Sequence, residues 1–387
     1  MTAEATKRTV PLTRPWIGEA EAEAARRPIL SGWLTQGPEV AAFEREFAAF
    51  TGAAHAVAVS NCTTALHLAL LAVGVSAGDE VITVSHSYVA TANSIRYCNA
   101  EPVFVDVEAA TSNLDPTLIA AAITARTKAI LTVHQMGMPC NMAAILEVAR
   151  ANGLPVIEDA ACASGSEIRW NGAWEKVGKA HGDIACFSFH PRKVITTGDG
   201  GMLTTNNPAY ETQFRLLRQH GMSISDQVRH SAHQVIFEEH AVVGYNYRMT
   251  DVQAAIGREQ LKRLPEIFAA RRRLGARYLA LLAAAIPGLT LPHEPEWAHT
   301  NWQSFWVRLP EQCEQRAVMQ AMLDRGVATR RGIMCAHREV PYQRAAGFHL
   351  PLSEQAQDRN IILPLYPQMS DDEQDYVVAM LTEACKG

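Results

Sequence analysis

From His55 to Thr205, short apolar runs rich in β-branched residues alternate with stretches rich in alanine and leucine. The runs cover residues 56–59, 81–84, 103–107, 129–133, 156–157, 184–189 and 202–205. Strands that alternate with helical stretches form βα units, and a series of such units builds a mostly parallel sheet flanked by helices. The predicted fold class is therefore α/β. Crossovers between parallel strands are right-handed, and ligands of such sheets sit beyond the carboxyl ends of the strands. The residues that follow each run are the first place to look for chemistry.

The pattern changes outside this region. Residues 1–30 read as an arm stiffened by Pro11 and Pro15, then a first helix over 18–25. The stretch 31–38 is a loop with glycine at both ends and Trp33 between them; Trp33 either pins that loop to the core or walls a binding site. A helix over 39–50 follows. Beyond residue 206 come a helix and then a polar stretch over 220–240, read as a long loop. Thr250 or Asp251 is a good N-cap for a helix over 252–261. A separate long helix is expected over 266–285, ended by Pro287-Gly288. Strands at 304–309 and 327–330 and helices at 315–325 and 371–385 make a smaller α+β lobe. The expected division is a large lobe of residues 1–264 and a small C-terminal lobe of 265–387.

Four strand ends carry candidate chemistry. Lys193 lies on a tight, glycine-rich loop between the runs 184–189 and 202–205. Withdrawal from water disfavours its ammonium form and favours a nucleophilic amine, the group that pyridoxal phosphate (PLP) requires. A solvated surface lysine is the ordinary alternative. After the first run, Thr63 and Thr64 open a strong helix, where free N–H groups and hydroxyls either cradle a phosphate or simply cap the helix. Tyr88, after the second run, either stacks on a flat ring or packs in the core. Asp159, after the fifth, either caps a helix or supplies the carboxylate that keeps a pyridine nitrogen protonated.

Composition narrows the class. Of 387 residues, 48% are hydrophobic and 19% charged, as in ordinary soluble chains large enough for two lobes. A net charge of −5 gives no basic field for nucleic acid. No apolar run is long enough to cross a membrane, and the first 14 residues lack the apolar centre of an export signal. None of the eight cysteines forms a CxxC pair, which argues against zinc or a disulfide framework and for a reducing cytoplasm. His220, His230, His233 and His240 are too loosely spaced, and too far from any cysteine, to read as a metal site.

Taken together, three strings resemble the PLP-dependent sugar aminotransferases of the StrS/DegT group, which share the type I fold. They are Ser188-Phe189-His190-Pro191-Arg192-Lys193 running on to Gly201, Glu158-Asp159-Ala160-Ala161, and Gly244-Tyr245-Asn246-Tyr247-Arg248-Met249. The similarity extends from Ser31-Gly32-Trp33 to Pro364-Leu365-Tyr366-Pro367. It implies that Lys193 carries PLP and shuttles the proton, that Asp159 pairs with the ring nitrogen, and that Tyr88 stacks on the ring. Thr63, Thr64 and Ser188 would hold the phosphate. Asn246 would reach the phosphate of a neighbouring subunit, making a homodimer with shared sites. Arg248 is a candidate for substrate anions, and Trp33, His337 and Tyr342 for the substrate wall. Two positions depart from the family: Cys62 stands where many members have glycine, and Cys162 where many have glutamine or histidine near the ring oxygen. Some relatives carry histidine in place of the lysine and act as dehydratases; Lys193 favours transamination. The expected reaction moves an amino group from L-glutamate or glutamine to a nucleotide-linked keto-6-deoxyhexose. A keto-cyclitol acceptor and a non-catalytic PLP-binding regulator are the alternatives.

Overall fold

The alternating runs of the middle of the chain become the strands of one seven-stranded sheet. The structure, a computed structural model, describes residues 8–224, 229, 232–344 and 347–386. In chain order the strands are β1 (His55–Val59), β2 (Glu80–Val84), β3 (Glu101–Val105), β4 (Thr127–Val133) and β5 (Val156–Asp159). The chain then leaves the sheet in a hairpin, β6 (Glu167–Trp170) and β7 (Ala173–Lys176), and returns as β8 (Ile184–Ser188) and β9 (Gly201–Thr205). The spatial order is β1-β9-β8-β5-β4-β2-β3. Pairings among β3, β2, β4, β5 and β8 are parallel, and β9 runs antiparallel to both β8 and β1. All carboxyl ends of the parallel set therefore share one edge with the start of β9.

Helices cover both faces. α1 (Glu19–Ser31) and α2 (Pro38–Thr51) precede the sheet, α3 (Cys62–Ala72), α4 (Ala90–Tyr97), α5 (Ile119–Ala122) and α6 (Met142–Ala151) link its strands, and α7 (Pro208–Leu217) follows it. Successive strand residues face opposite sides. Val57, Leu131, Ile157 and Cys186 pack towards α3, while Ala58, Ile130, Val156 and Phe187 pack towards α2 and α6. Burial on both faces is why these strands read as unbroken apolar runs.

One expectation is corrected here. The two helices predicted at 252–261 and 266–285 are a single helix, α8 (Asp251–Ala285), with Pro265 inside it. A proline within a helix costs about 3 kcal/mol. Leu261, Leu264 and Ile267 flank it and are buried, each worth about 1.5–3 kcal/mol, so packing outweighs the lost hydrogen bond. Thr250 is the N-cap, accepting from the Gln253 N–H at 3.2 Å. Along α8 the packing partners change: residues up to Ile267 join the core under the large sheet, and those from Leu274 join a second core.

That second core lies between α8, α9 (Gln315–Asp324), α11 (Asp371–Ala384) and a small antiparallel sheet. β10 (Ala298–His299) joins the β6–β7 hairpin, whereas β11 (Phe305–Arg308), β13 (Asn360–Leu363) and β12 (Arg330–Arg331) form the small sheet, in that order. α10 (Pro351–Arg359) leads into β13. The strand expected at 327–330 shortens to Arg330–Arg331, because Val327 pairs instead with Val10 of the N-terminal arm. Leu12 O accepts from Leu365 N at 3.1 Å, so the described part of the arm rides on the small lobe. Residues 1–7 of the arm, and His230 of the loop histidines, lie outside the described residues. No helix among the described residues is long and apolar enough to cross a membrane.

Candidate active site

Strand register brings the first group of candidates together. Ser188 faces Gly201 across β8 and β9, and Gly201 faces Val59 across β9 and β1. The turn from β1 into α3 therefore sits directly above Gly201. A Cβ on Gly201 would lie 2.5 Å from Asn61 C and O and 2.8 Å from Cys62 N, so only glycine allows this approach. The N-cap of α3 is Asn61, not Thr63: Asn61 Oδ1 accepts from Thr64 N at 3.0 Å, and Thr64 Oγ1 donates to Asn61 O at 2.7 Å. The amides of Cys62 and Thr63 and the Thr63 hydroxyl have no partner among the described residues. Unspent first-turn amides and the positive helix end make a ready anion site.

Asp159 ends β5 and is 5% exposed. Its Oδ2 accepts from Thr91 Oγ1 at 2.8 Å and its Oδ1 from Ala161 N at 3.1 Å. Burial raises its carboxyl above the usual carboxylate value despite those bonds and the charge of Lys193. A cation placed against the carboxylate would reverse that shift. Lys193 sits on the loop between β8 and β9, its N–H on His190 O at 2.8 Å. Its Nζ donates to Cys162 Sγ at 3.1 Å. Burial alone was expected to favour the neutral amine. Burial does pull it that way, but Cys162 and Asp159 pull harder, and the amine is held above its ordinary value. Lys193 thus waits as an ammonium between a thiol and a carboxylate.

Lys193, Asp159, Tyr88, Thr63, Thr64, Ser188 and Cys162 all line one cavity of about 680 Å³ at the carboxyl edge of the sheet. Its size falls within the roughly 300–1,000 Å³ of small-molecule sites. Tyr88 is 61% exposed there, with its ring free of the core. Five proposed site residues are elsewhere. Trp33 folds onto its own loop, Nε1 donating to Gln36 O at 3.3 Å and the ring covering Gly37. His337 is buried between Ser85 Oγ at 2.6 Å and Glu354 Oε1 at 3.0 Å. Tyr342 is buried against Phe104, its hydroxyl donating to Asn93 Oδ1 at 2.5 Å. Neither walls this cavity; both join the small lobe to the large one. Arg248 and Asn246 also lie outside it.

Sequence reasoning missed Thr91, which holds Asp159 and also meets Ser87 Oγ at 2.8 Å. Its spacing from Tyr88, one helical turn, was a usable signal. It also passed over Gln135, which follows β4 and lines the cavity.

Comparison with known proteins now decides the class. The DegT/DnrJ/EryC1/StrS aminotransferase family matches residues 15–382. The chain belongs to this family. The spore coat polysaccharide biosynthesis protein SpsC of Bacillus subtilis (strain 168) is 38% identical over 385 residues, spanning 98% of this chain and 97% of SpsC. The aminotransferase TlmJ from Streptoalloteichus hindustanus superposes with a TM-score of 0.90 at 34% identity, over 98% of this chain and 99% of TlmJ. DesI, solved in the presence of its TDP-sugar product, gives a TM-score of 0.88 at 30% identity, over 98% of this chain and 94% of DesI. Like its family, the chain is a PLP-dependent sugar aminotransferase.

The residues present fit that cofactor. The cradle above Gly201 offers two unpartnered amides and a hydroxyl to a phosphate, and the buried Asp159, whose carboxyl stays raised even beside Lys193, would be returned to its charged form by a protonated pyridine nitrogen. Gly201→Ala is expected to push the first turn of α3 away and raise the Kd for PLP about tenfold or more, since overpacking costs about 1–3 kcal/mol. Titration of the variant with PLP, followed by visible absorbance, checks this.

Proposed function

We propose that the chain transfers an amino group from L-glutamate or glutamine to a nucleotide-linked keto-6-deoxyhexose, making an amino sugar. The observation that carries this reading is the convergence of Lys193, Asp159 and the cradle in one cavity, with room left for a second ligand. DesI supports the nucleotide-linked substrate class through the TDP-sugar it was solved with.

PLP, when bound, supplies an electron sink for negative charge that develops on the carbon bearing the amino group. The chain's residues do the rest. Thr63 Oγ1, the amides of Cys62 and Thr63, and Ser188 hold the phosphate. Asp159, fixed by Thr91 and Ala161, keeps the ring nitrogen protonated. Tyr88 covers the ring face. Lys193 Nζ would anchor the cofactor and would hold and move the proton. Cys162 stands beside Nζ and orients it.

A homodimer with shared sites accompanies this reading. Tyr245 and Tyr247 pack inward on His67 of α3, ring centroids 5.0 and 6.0 Å away. Alternation in the extended stretch turns Asn246 outward, away from its own cavity. Exposed Phe237 (88%) and Val243 (87%) lie a few residues before it, and such apolar exposure marks association surfaces. A second copy placed there would receive Asn246. All eight cysteines are unpaired, which fits a reducing cytoplasm as the working compartment.

The visible spectrum of the purified protein tests the reading. A yellow PLP band that bleaches on addition of L-glutamate is expected. A band that persists would reject glutamate as donor, and no band after PLP addition would reject the site.

A further inference from the structure

The corner between β10 and β11 concentrates three energetic costs. Trp302 has a φ of 51°, in the left-handed region that a bulky side chain rarely adopts. Arg271 of α8 is 1% exposed and meets no carboxylate among the described residues. Its Nη1 donates instead to Trp302 O at 2.8 Å and to Gln303 O at 3.3 Å, and burial pulls the guanidinium down to about 10. Gln303 Oε1 is buried with no partner among the described residues. Backbone strain and unpaired buried groups persist where the surroundings hold a geometry for function.

The neighbours of Trp302 show what this corner holds. Asn301 Nδ2 donates to Cys162 O at 2.8 Å and to Ser164 O at 3.0 Å. Gln303 Nε2 donates at 2.6 Å to Arg192 O, the carbonyl just before Lys193. Asn301 Oδ1 accepts from Gln303 N at 2.7 Å, so the two grips are tied to each other. One corner therefore fixes the main chain of Cys162 and the main chain next to Lys193. The side chains of these two residues come from different strand ends and meet at 3.1 Å. The Trp302 ring keeps the corner from relaxing. It sits on Gly275 of α8, where a Cβ would lie 2.7 Å from Trp302 Nε1.

We infer that Gln303 is a positioning residue for Lys193, with Asn301 holding the Cys162 half of the same contact; this rests on Lys193 as the reacting amine. The contact bears on the proton that Nζ carries. The groups that face Nζ are Cys162, Asp159 and Cys62, with His190, Arg192 and Asp199 on its own loop. Burial opposes the ammonium, and Cys162 leads the groups that favour it. A loop released from Gln303 lets Nζ and Sγ drift apart, so the amine loses its proton at lower pH.

The test is the pH dependence with which the cofactor-free protein forms the visible PLP band, compared in wild type, Gln303→Ala and Gln303→Met. Methionine keeps the length of the side chain and adds no charge, but donates nothing to Arg192 O. Both variants are expected to move the midpoint of the profile about half a pH unit or more towards acid. The limiting rate at which L-glutamate bleaches the band should fall about 10–100-fold, the loss expected from a misplaced reacting group, with half-saturation changed less than about threefold. Circular dichroism and elution volume should match wild type. A merely structural role would lower the band at every pH without moving the midpoint, and that result would overturn the proposal. So would a loss confined to half-saturation, which would make Gln303 a substrate contact. No band in the wild-type protein at any pH would reject Lys193 as the reacting amine, and the role of the corner with it.

Discussion

Lys193→Ala is expected to abolish transamination, lowering the rate at least about 10⁴-fold, the upper range for a positioned general base, even before loss of the covalent anchor is counted. The fold should survive. The Lys193 side chain makes one hydrogen bond, to Cys162 Sγ, and the loop is held by main-chain bonds from Lys193 N to His190 O and from Thr197 N to Phe189 O. Alanine keeps both of these. Asp159 loses a nearby positive charge, but Thr91 and Ala161 still hold it in place. Lys193→Arg separates charge from chemistry: it restores a cation beside Cys162 but offers no amine that can be deprotonated at neutral pH. Both variants should be equally inactive in a steady-state assay, with unchanged far-ultraviolet circular dichroism and elution volume. Activity in either one would remove Lys193 from the mechanism.

How much of this could be read from the chain depended on the range of the interactions. The strand runs were legible because both faces of the large sheet are buried, so nearly every position in a strand is apolar. The cavity residues were legible for a related reason: each follows a strand, and strand ends share an edge. The β6–β7 hairpin was legible through Asn171-Gly172, both with positive φ, which is a turn signal; a reading tuned to alternating strands and helices passed over it. Proposed substrate residues fared worst. His337 meets Ser85 across 252 residues and Tyr342 meets Asn93 across 249. Nothing local announces such partners, and an aromatic in a loop reads the same whether it walls a cavity or joins two lobes. The direction of the Lys193 shift was hidden likewise, because Cys162 and Asp159 come from a different strand end.

Asp159→Asn is expected to cost about 10²–10³ in the rate of transamination, the usual loss when one preorganised charge is removed from an active site. Asparagine cannot keep a pyridine nitrogen protonated, so the electron sink weakens while PLP still docks. Packing should hardly change. The asparagine Oδ1 can accept from Ala161 N as the aspartate does. Its amide would then face Thr91 Oγ1, which can reverse its hydrogen bond and donate to Ser87 Oγ, 2.8 Å away. Stability should move the other way from activity. Burial raises the Asp159 carboxyl above its unfolded value in the cofactor-free protein. Between the unfolded and folded values the native chain binds more protons, so stability falls as pH rises through that window, and the cost is greatest above the folded value. Asparagine removes the cost. The cofactor-free variant should therefore melt at or above the wild-type temperature at pH 7 and lose that acid-side contribution to its pH dependence. Thermal unfolding of the two cofactor-free proteins at pH 4 and pH 7 measures this. A variant that melts well below wild type at pH 7 would mean that Asp159 is a structural carboxylate already satisfied by Thr91 and Ala161, rather than one that awaits a cationic ring.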